Sequence, residues 1–383
     1  MSAKKEDLYN LIQSLSKTEK RYFKMEARKA GDKSNSKYLQ LFEAIHKMDK
    51  YDEERLKSKD FVKNLSMEKA YLTDAILRSL RNFHSEKSLA ARMRDLVTNA
   101  RLLQDRELYD QSLRQLGKAK KLAFELQDHL SVLEINKMES SFLLRKRDRG
   151  NAEALAKLQQ ERERLMTIIS EEVEYLGLYH NLSGLLHKGH TVSGKEISEQ
   201  IQQLIGPVLD VEAASISSFH ARIRFLQSLT ISKALTGQAE EAYQYNRSVV
   251  DEYDKYTKIL REDTFRYIIS LHNLIQKCLQ QKKYAEIPEL LRKLKDTTQL
   301  TKSNELLVFN LEVPSRLIFY MNTKQFDKAG ELASIVDEGL KKYNLTPRRR
   351  IVFHHNVAIF FLINQQLDEA KQWFNKTIGL KKN

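Results

Sequence analysis

The stretch whose residue types come nearest to a catalytic motif is Gly189-His-Thr-Val-Ser-Gly194-Lys195, which fits the phosphate-loop frame G-x-x-x-x-G-K. In that frame the loop amides and the lysine hold phosphates, and a hydroxyl residue after the lysine binds magnesium. Here the following residue is Glu196, which repels phosphate and offers no hydroxyl. The motif also needs a buried β-strand before it, whereas Tyr175 to Lys188 carries the spacing of a helix. The segment therefore reads as a loop between helices.

The histidines give no stronger signal. His180 and His187 share a helix face and His190 follows, but no cysteine or second acid completes a tetrahedral set at usable spacing. His354 and His355 are adjacent and point to different sides of a helix. No nucleophile elbow, H-E-x-x-H motif or paired catalytic carboxylates are present. The expectation is a protein without catalytic residues, metal or cofactor.

Two groups of residues suit binding a partner. Arg348, Arg349 and Arg350 follow Thr346-Pro347, where proline suits a first helical turn. Three cations at a helix start oppose its dipole, at about 0.3–1 kcal/mol each when unscreened, and would grip an acidic partner or stand solvated. The second group is a row of compact polar residues recurring once per repeat: Thr98, Ser141, Ser228, Asn273, Ser315 and Asn356, with Leu186 interrupting it. Such a row would either line a groove for an extended peptide or ease close packing between helices. Ser228, Asn273, Ser315, Asn356 and the three arginines are the candidate partner-binding residues.

The elements that must position these residues announce themselves at their corners. Ile363-Asn-Gln-Gln-Leu367-Asp-Glu-Ala370 ends one apolar helix and starts the next, and the phrase returns as Met321-Asn-Thr-Lys-Gln-Phe326-Asp-Lys-Ala329 and Leu235-Thr-Gly237-Gln-Ala239-Glu-Glu-Ala242. Aligned on the first apolar residue of each second helix, the corners fall at Tyr109, Ala152, Ile197, Ala239, Tyr284, Phe326 and Leu367, every 41 to 45 residues. Three residues on stand Ser112, Leu155, Gln200, Ala242, Ile287, Ala329 and Ala370. Each interval holds two helices of about 18 residues, roughly 27 Å each, and a unit that small buries its apolar face only by stacking on neighbours.

These residues resemble the tetratricopeptide-repeat superfamily over about residues 88–383. Gly237-Gln-Ala-Glu-Glu-Ala242 is similar to the family's turn and small residue, and Asn273-Leu-Ile275 and Asn356-Val-Ala358 to its Asn-Leu-Gly stretch. The resemblance implies an all-α superhelix of stacked antiparallel hairpins that binds peptides. The period exceeds the family's usual 34 residues and the terminal proline of most repeats is missing, so longer, degenerate hairpins are implied and a family peptide code does not carry over.

Residues 1–86 form a separate helical domain ahead of repeats at 87–383. Helices are expected at 6–15, at 17–30 behind a Ser16-Lys-Thr-Glu19 capping box and ending on Gly31, then at 38–48, 52–63 and 66–84. The last two have a helix-turn-helix layout in which Lys69, Arg78 and Arg81 would meet phosphates, although Glu68 and Asp74 would face the same polyanion. The other reading is a cap on the first repeat. Gly177, Gly184, Gly189, Gly194 and Gly206 cluster in the middle, which places a bend near 187–196, a break at Gly206-Pro207 and a hinge in 187–206.

The bulk numbers agree with this. With 41% hydrophobic and 30% charged residues but only 12 Gly and 4 Pro, the chain suits a helix-rich globular protein. The longest apolar run, Val357 to Ile363, is far short of a bilayer span. One cysteine, Cys278, among apolar neighbours excludes an internal disulfide, and with no export signal the expectation is a reducing, bacterial-type cytoplasm. The net charge of +14 is interspersed with acids, so it favours an acidic partner over a dedicated nucleic-acid surface. The leading reading is a non-enzymatic scaffold or adaptor for protein–protein interaction. The alternative is a DNA-binding transcriptional regulator with a TPR-like sensor domain.

Overall fold

The computed structural model describes residues 3–29, 33–85, 88–146, 151–188, 194–300, 304–343 and 345–379. Among them the chain is all-helical, with nineteen α-helices in sequential antiparallel pairs and no strands. It divides into two compact units, residues 1–122 and 123–383. The boundary expected at 86/87 falls between two helices of the first unit, at residues outside the described set.

The first unit contains α1 (Ala3–Ser14), α2 (Lys17–Lys29), α3 (Lys33–His46), α4 (Glu53–Lys57), α5 (Leu65–Ser85), α6 (Leu89–Gln104) and the start of α7 (Tyr109–Glu125). Ser16 and Glu19 make the expected capping box: Ser16 Oγ accepts the Glu19 amide at 3.2 Å and Glu19 accepts the Ser16 amide at 2.7 Å. Leu8, Ile12, Phe23, Phe42, Ile45, Leu72 and Ile76 meet in one core. The helix expected at 52–63 is much shorter, ending at Lys57. The following turns reach Asn64, whose side chain accepts the Met67 amide at 3.1 Å and so starts α5. Gly31 lies outside the described residues.

The second unit continues with α8 (His129–Lys146), α9 (Asn151–Lys188), α10 (Gly194–Ile205), α11 (Phe219–Leu235), α12 (Ala239–Lys255), α13 (Thr257–Glu262), α14 (Thr264–Gln280), α15 (Ile287–Leu300), α16 (Glu305–Asn322), α17 (Ala329–Lys342), α18 (Pro347–Ile363) and α19 (Leu367–Gly379). From α11 onward each helix packs on its successor or next but one: α11 on α12, α12 on α14, α14 on α15 and α16, α16 on α17 and α18, α18 on α19. The core is correspondingly serial. One cluster runs from Tyr175 to Leu229, a second from Phe219 to Phe319 and a third from Phe309 to Trp373.

The corners explain the repeat. Gly237, Lys282, Lys324 and Gln365 all have positive φ, between 57° and 77°, and each stands two residues before the expected corner position. Across each, an amide reaches back five residues: Gln238 to Lys233, Lys283 to Cys278, Gln325 to Tyr320 and Gln366 to Phe361, at 2.8–3.0 Å. This is the Schellman ending, which satisfies the last carbonyls of a helix and reverses the chain. Glu107 ends α6 in the same way, ahead of Tyr109. Three residues past these corners, Ser112, Ala242, Ile287, Ala329 and Ala370 are all buried, as close approach of paired helices requires.

The expected corners at Ala152 and Ile197 fall in the first turns of α9 and α10, each behind residues outside the described set, but the break expected between them is not there. Asn151 to Lys188 is one helix of 38 residues, about 57 Å long, replacing the second helix of one hairpin and the first of the next. Gly177 and Gly184 lie in its interior and Ile197 lies inside α10. The corner the sequence did not reveal is at Gln127, with φ 55° and an Asp128 to Ala123 bond of 2.9 Å, between α7 and α8. Residues 189–193, which hold most of the phosphate-loop frame and of the expected bend, lie outside the described residues. The break at Gly206-Pro207 is a 3-10 turn, Gly206–Val208.

Candidate partner-binding surface

The first helices of the last three hairpins, α14, α16 and α18, keep one face out of the core. On α14 that face carries Phe265, Arg266, Ile269 and Asn273; on α16, Pro314 and Ile318; on α18, Arg348, Val352, His355 and Leu362. It exposes apolar side chains: Phe265 is 56% exposed, Val352 49%, Leu362 44% and Ile318 39%. The faces of α14 and α16 adjoin. Ser315 lies at their seam, accepting Gln276 Nε2 at 3.1 Å and standing 3.4 Å from His272 Nδ1. Residues 269, 273 and 276 on one side and 311, 314 and 318 on the other flank that seam at helical spacing.

The candidate residues divide between this surface and its foundations. Ser228 and Ser315 are wholly buried, each hydroxyl on the carbonyl four residues back, Arg224 at 2.8 Å and Leu311 at 2.7 Å. Ser228, so satisfied, presents little more than a methyl-sized surface to the next helix, while Ser315 also takes Gln276 of α14. Asn273 is exposed and Asn356 half-buried. Thr346 N-caps α18 and Pro347 is its first residue. Arg348 and Arg349 are exposed, but Arg350 folds back to donate to the Leu345 and Leu340 carbonyls at 3.3 and 3.4 Å, closing the end of α17.

The face is cationic as well as apolar. Arg224 on α11 lies 4.6 Å over the Tyr179 ring and donates to Gln227 at 2.9 Å. Burial and the neighbouring Arg266 lower its pKa. Arg266 pairs with Asp263 at 3.0 Å. Burial alone lowers the pKa of Lys277 and of His272. Positive groups held back by desolvation, with few carboxylates among them, favour a negatively charged neighbour.

A second polar cluster gave no signal in the sequence. Glu172 on α9 accepts His129 Nδ1 of α8 at 2.8 Å and the Ser218 hydroxyl at the start of α11. The residue types match a nucleophilic triad, but the carboxylate sits in the middle, so the hydroxyl donates to the acid with no imidazole to take its proton. Ser218 Oγ also accepts the His220 amide at 3.1 Å, and Gln127 accepts the Phe219 amide at 3.3 Å. The cluster fastens α8, α9 and α11 together. Burial raises the carboxyl pKa of Glu172, but its hydrogen bonds from His129 and Ser218 outweigh this and leave it below the ordinary value.

Cys278 is fully buried and its thiol is pushed up to about 11, by burial first and by Glu286. Among the described residues no group of three His, Cys, Asp or Glu is placed to hold a metal ion, and no helix is long and apolar enough to cross a membrane. The chain matches no family model, and no curated protein is significantly similar to it.

Proposed function

We propose that the second unit is a non-enzymatic binding scaffold whose hairpins are degenerate repeats of the tetratricopeptide type. Its ligand is an extended, acidic protein segment with apolar side chains, laid across the first helices. The observation that carries this is the exposure of Phe265, Ile318, Val352 and Leu362, with Arg266, Arg348 and Arg349, on the first helices α14, α16 and α18, whose other faces are spent on packing. Apolar anchors would supply affinity, and the arginines would orient an acidic chain. The repeated corner and the buried small residue after it support the family likeness. A reducing cytoplasm fits a buried, unactivated single cysteine.

The test compares three forms of the full chain as bait: wild type, Ile318→Asp, and Arg348→Glu with Arg349→Glu. All three positions are exposed, so the variants should melt with the wild type. The expected result is loss of the same captured partners from both variants. Partner sets identical for all three baits overturn the assignment.

A further inference from the structure

The first unit carries a second charged surface, unrelated to the repeats. Helix α2 buries Phe23 in the core and turns a stripe of cations outward: Lys17, Lys20, Arg21, Lys24 and Arg28. With His46 from α3 these line an open concavity of about 750 Å³. Lys24 pairs with Glu43 at 2.6 Å. Lys17, Lys20, Arg21 and Arg28 have no carboxylate partner among the described residues, because the acids of α2 are used elsewhere. Glu19 accepts Ser16 and His84, and Glu26 accepts Asn82 at 3.1 Å.

We propose that this face of α2, with His46 at its floor, binds the phosphate backbone of double-stranded nucleic acid without reading sequence. From Lys17 to Arg28 the stripe covers eleven helical rises, about 17 Å, which matches about five rises of 3.4 Å along one strand. Its edge toward α3 is electrostatically unfinished: His46 Nδ1 is buried with no hydrogen-bond partner. The pKa of His46 is lowered by burial, Lys20 and Lys24, and that of Lys20 by burial and Lys24. An anion here relieves all three. The lining offers no Phe, Tyr or Trp ring on which single-stranded bases would stack, and its His46 imidazole is half-buried at the floor. Its one apolar residue, Met25, is too little to anchor a helix in a lipid interface. Among nucleic-acid and lipid surfaces, duplex backbone is the polyanion this lining fits. The surface differs from the helix-turn-helix residues read from the sequence, of which Lys69 instead donates to Tyr51 at 2.8 Å.

The test uses the full chain and a fluorescein-labelled 20-base-pair duplex of random sequence, titrated from 50 to 200 mM salt. Four unpaired cations predict that affinity falls about 150-fold over that range, from a slope of about −0.9 per phosphate contact. Lys17→Gln with Arg21→Gln and Arg28→Gln leaves one such contact, so binding weakens and the fall shrinks to about 3- to 4-fold. Glu43→Gln releases Lys24 and gives the opposite result: tighter binding and a fall of about 500-fold. A misfolded variant would not bind more tightly. A control removing equal charge, Lys295→Gln with Lys341→Gln and Lys371→Gln at exposed positions of the second unit, leaves the slope unchanged. The proposal is overturned if this control costs as much as the α2 variant, if Glu43→Gln does not tighten binding, or if phosphatidylserine vesicles bind while the duplex does not.

Discussion

At its corners the chain ends a helix with a residue in the left-handed region, and among the described residues five of the six such residues are not glycine. An L-residue there costs about 1–2 kcal/mol, while glycine adds about 0.4–1 kcal/mol of unfolded-state entropy. Gln365 is the cleanest test, because it is exposed and φ is 60°. Gln365→Gly should therefore stabilise the chain by about 0.5–1 kcal/mol, the difference between those terms. Seven residues on, at exposed Gln372 inside α19, the same substitution should cost about 0.8–1 kcal/mol. The opposite experiment belongs to α9. Gly177 and Gly184 are helical, and a Cβ at either meets nothing within 4 Å, so alanine at each should gain about 1 kcal/mol. Urea unfolding followed by helical circular dichroism reads all four midpoints. If Gln365→Gly destabilises as Gln372→Gly does, the corner geometry is refuted. If alanine destabilises at 177 or 184, the long helix is refuted, because a bend there would need the glycine.

Three further perturbations follow from packing and charge. A Cβ on Gly339 of α17 would overlap the Phe309 ring, itself held between Tyr343 at 5.2 Å and Phe353 at 4.9 Å. Gly339→Ala should thus cost about 1–3 kcal/mol, and an unchanged urea midpoint would refute the contact. His46, His220, His272 and His354 all have pKa values lowered first by burial. Below about pH 6.5 the unfolded chain then binds more protons than the folded one. Stability should be full above that pH and decline as pH falls toward 5, and a flat midpoint between pH 7 and 5 would contradict this. Glu172→Gln leaves His129 and Ser218 without their shared carboxylate and should destabilise the second unit by about 1–3 kcal/mol. Because the carboxyl pKa is lowered, that difference should persist above pH 4.5 and vanish as pH drops through the folded value. A difference independent of pH would refute the assignment.

The corners at 109, 239, 284, 326 and 367 were legible because one physical requirement writes the same short phrase each time: a helix end, a left-handed residue, and a small or apolar residue buried a turn later. The corner at Gln127 uses the same backbone but joins a second helix to the next first helix, so it falls out of phase with the period. The period also places 152 and 197 at the starts of α9 and α10, but the spacing did not show that the two helices expected between them are one. Local propensity does not forbid glycine in a helix; it only charges about 1 kcal/mol, and packing against α8 and α11 outweighs it. The short α4 shows the reverse error, where helical spacing to Lys63 was overridden by the Asn64 cap.

The candidate residues separated along the same line. A compact polar residue recurring once per repeat marks where first helices approach, but spacing alone does not tell a side chain facing a groove from one facing the neighbouring helix. Ser228 and Ser315 turned inward because a serine can return its hydroxyl to its own helix. Asparagine carries more hydrogen-bonding capacity than one such carbonyl satisfies, and Asn273 and Asn356 stayed at or near the surface. The arginine triplet divided by reach: Arg350 lies close enough to the end of α17 to close its open carbonyls, whereas Arg348 and Arg349 do not. What identifies the surface is therefore not the polar row but its apolar neighbours, Phe265, Ile318, Val352 and Leu362. Their exposure became visible only once three helices had shown which of their faces the core consumes.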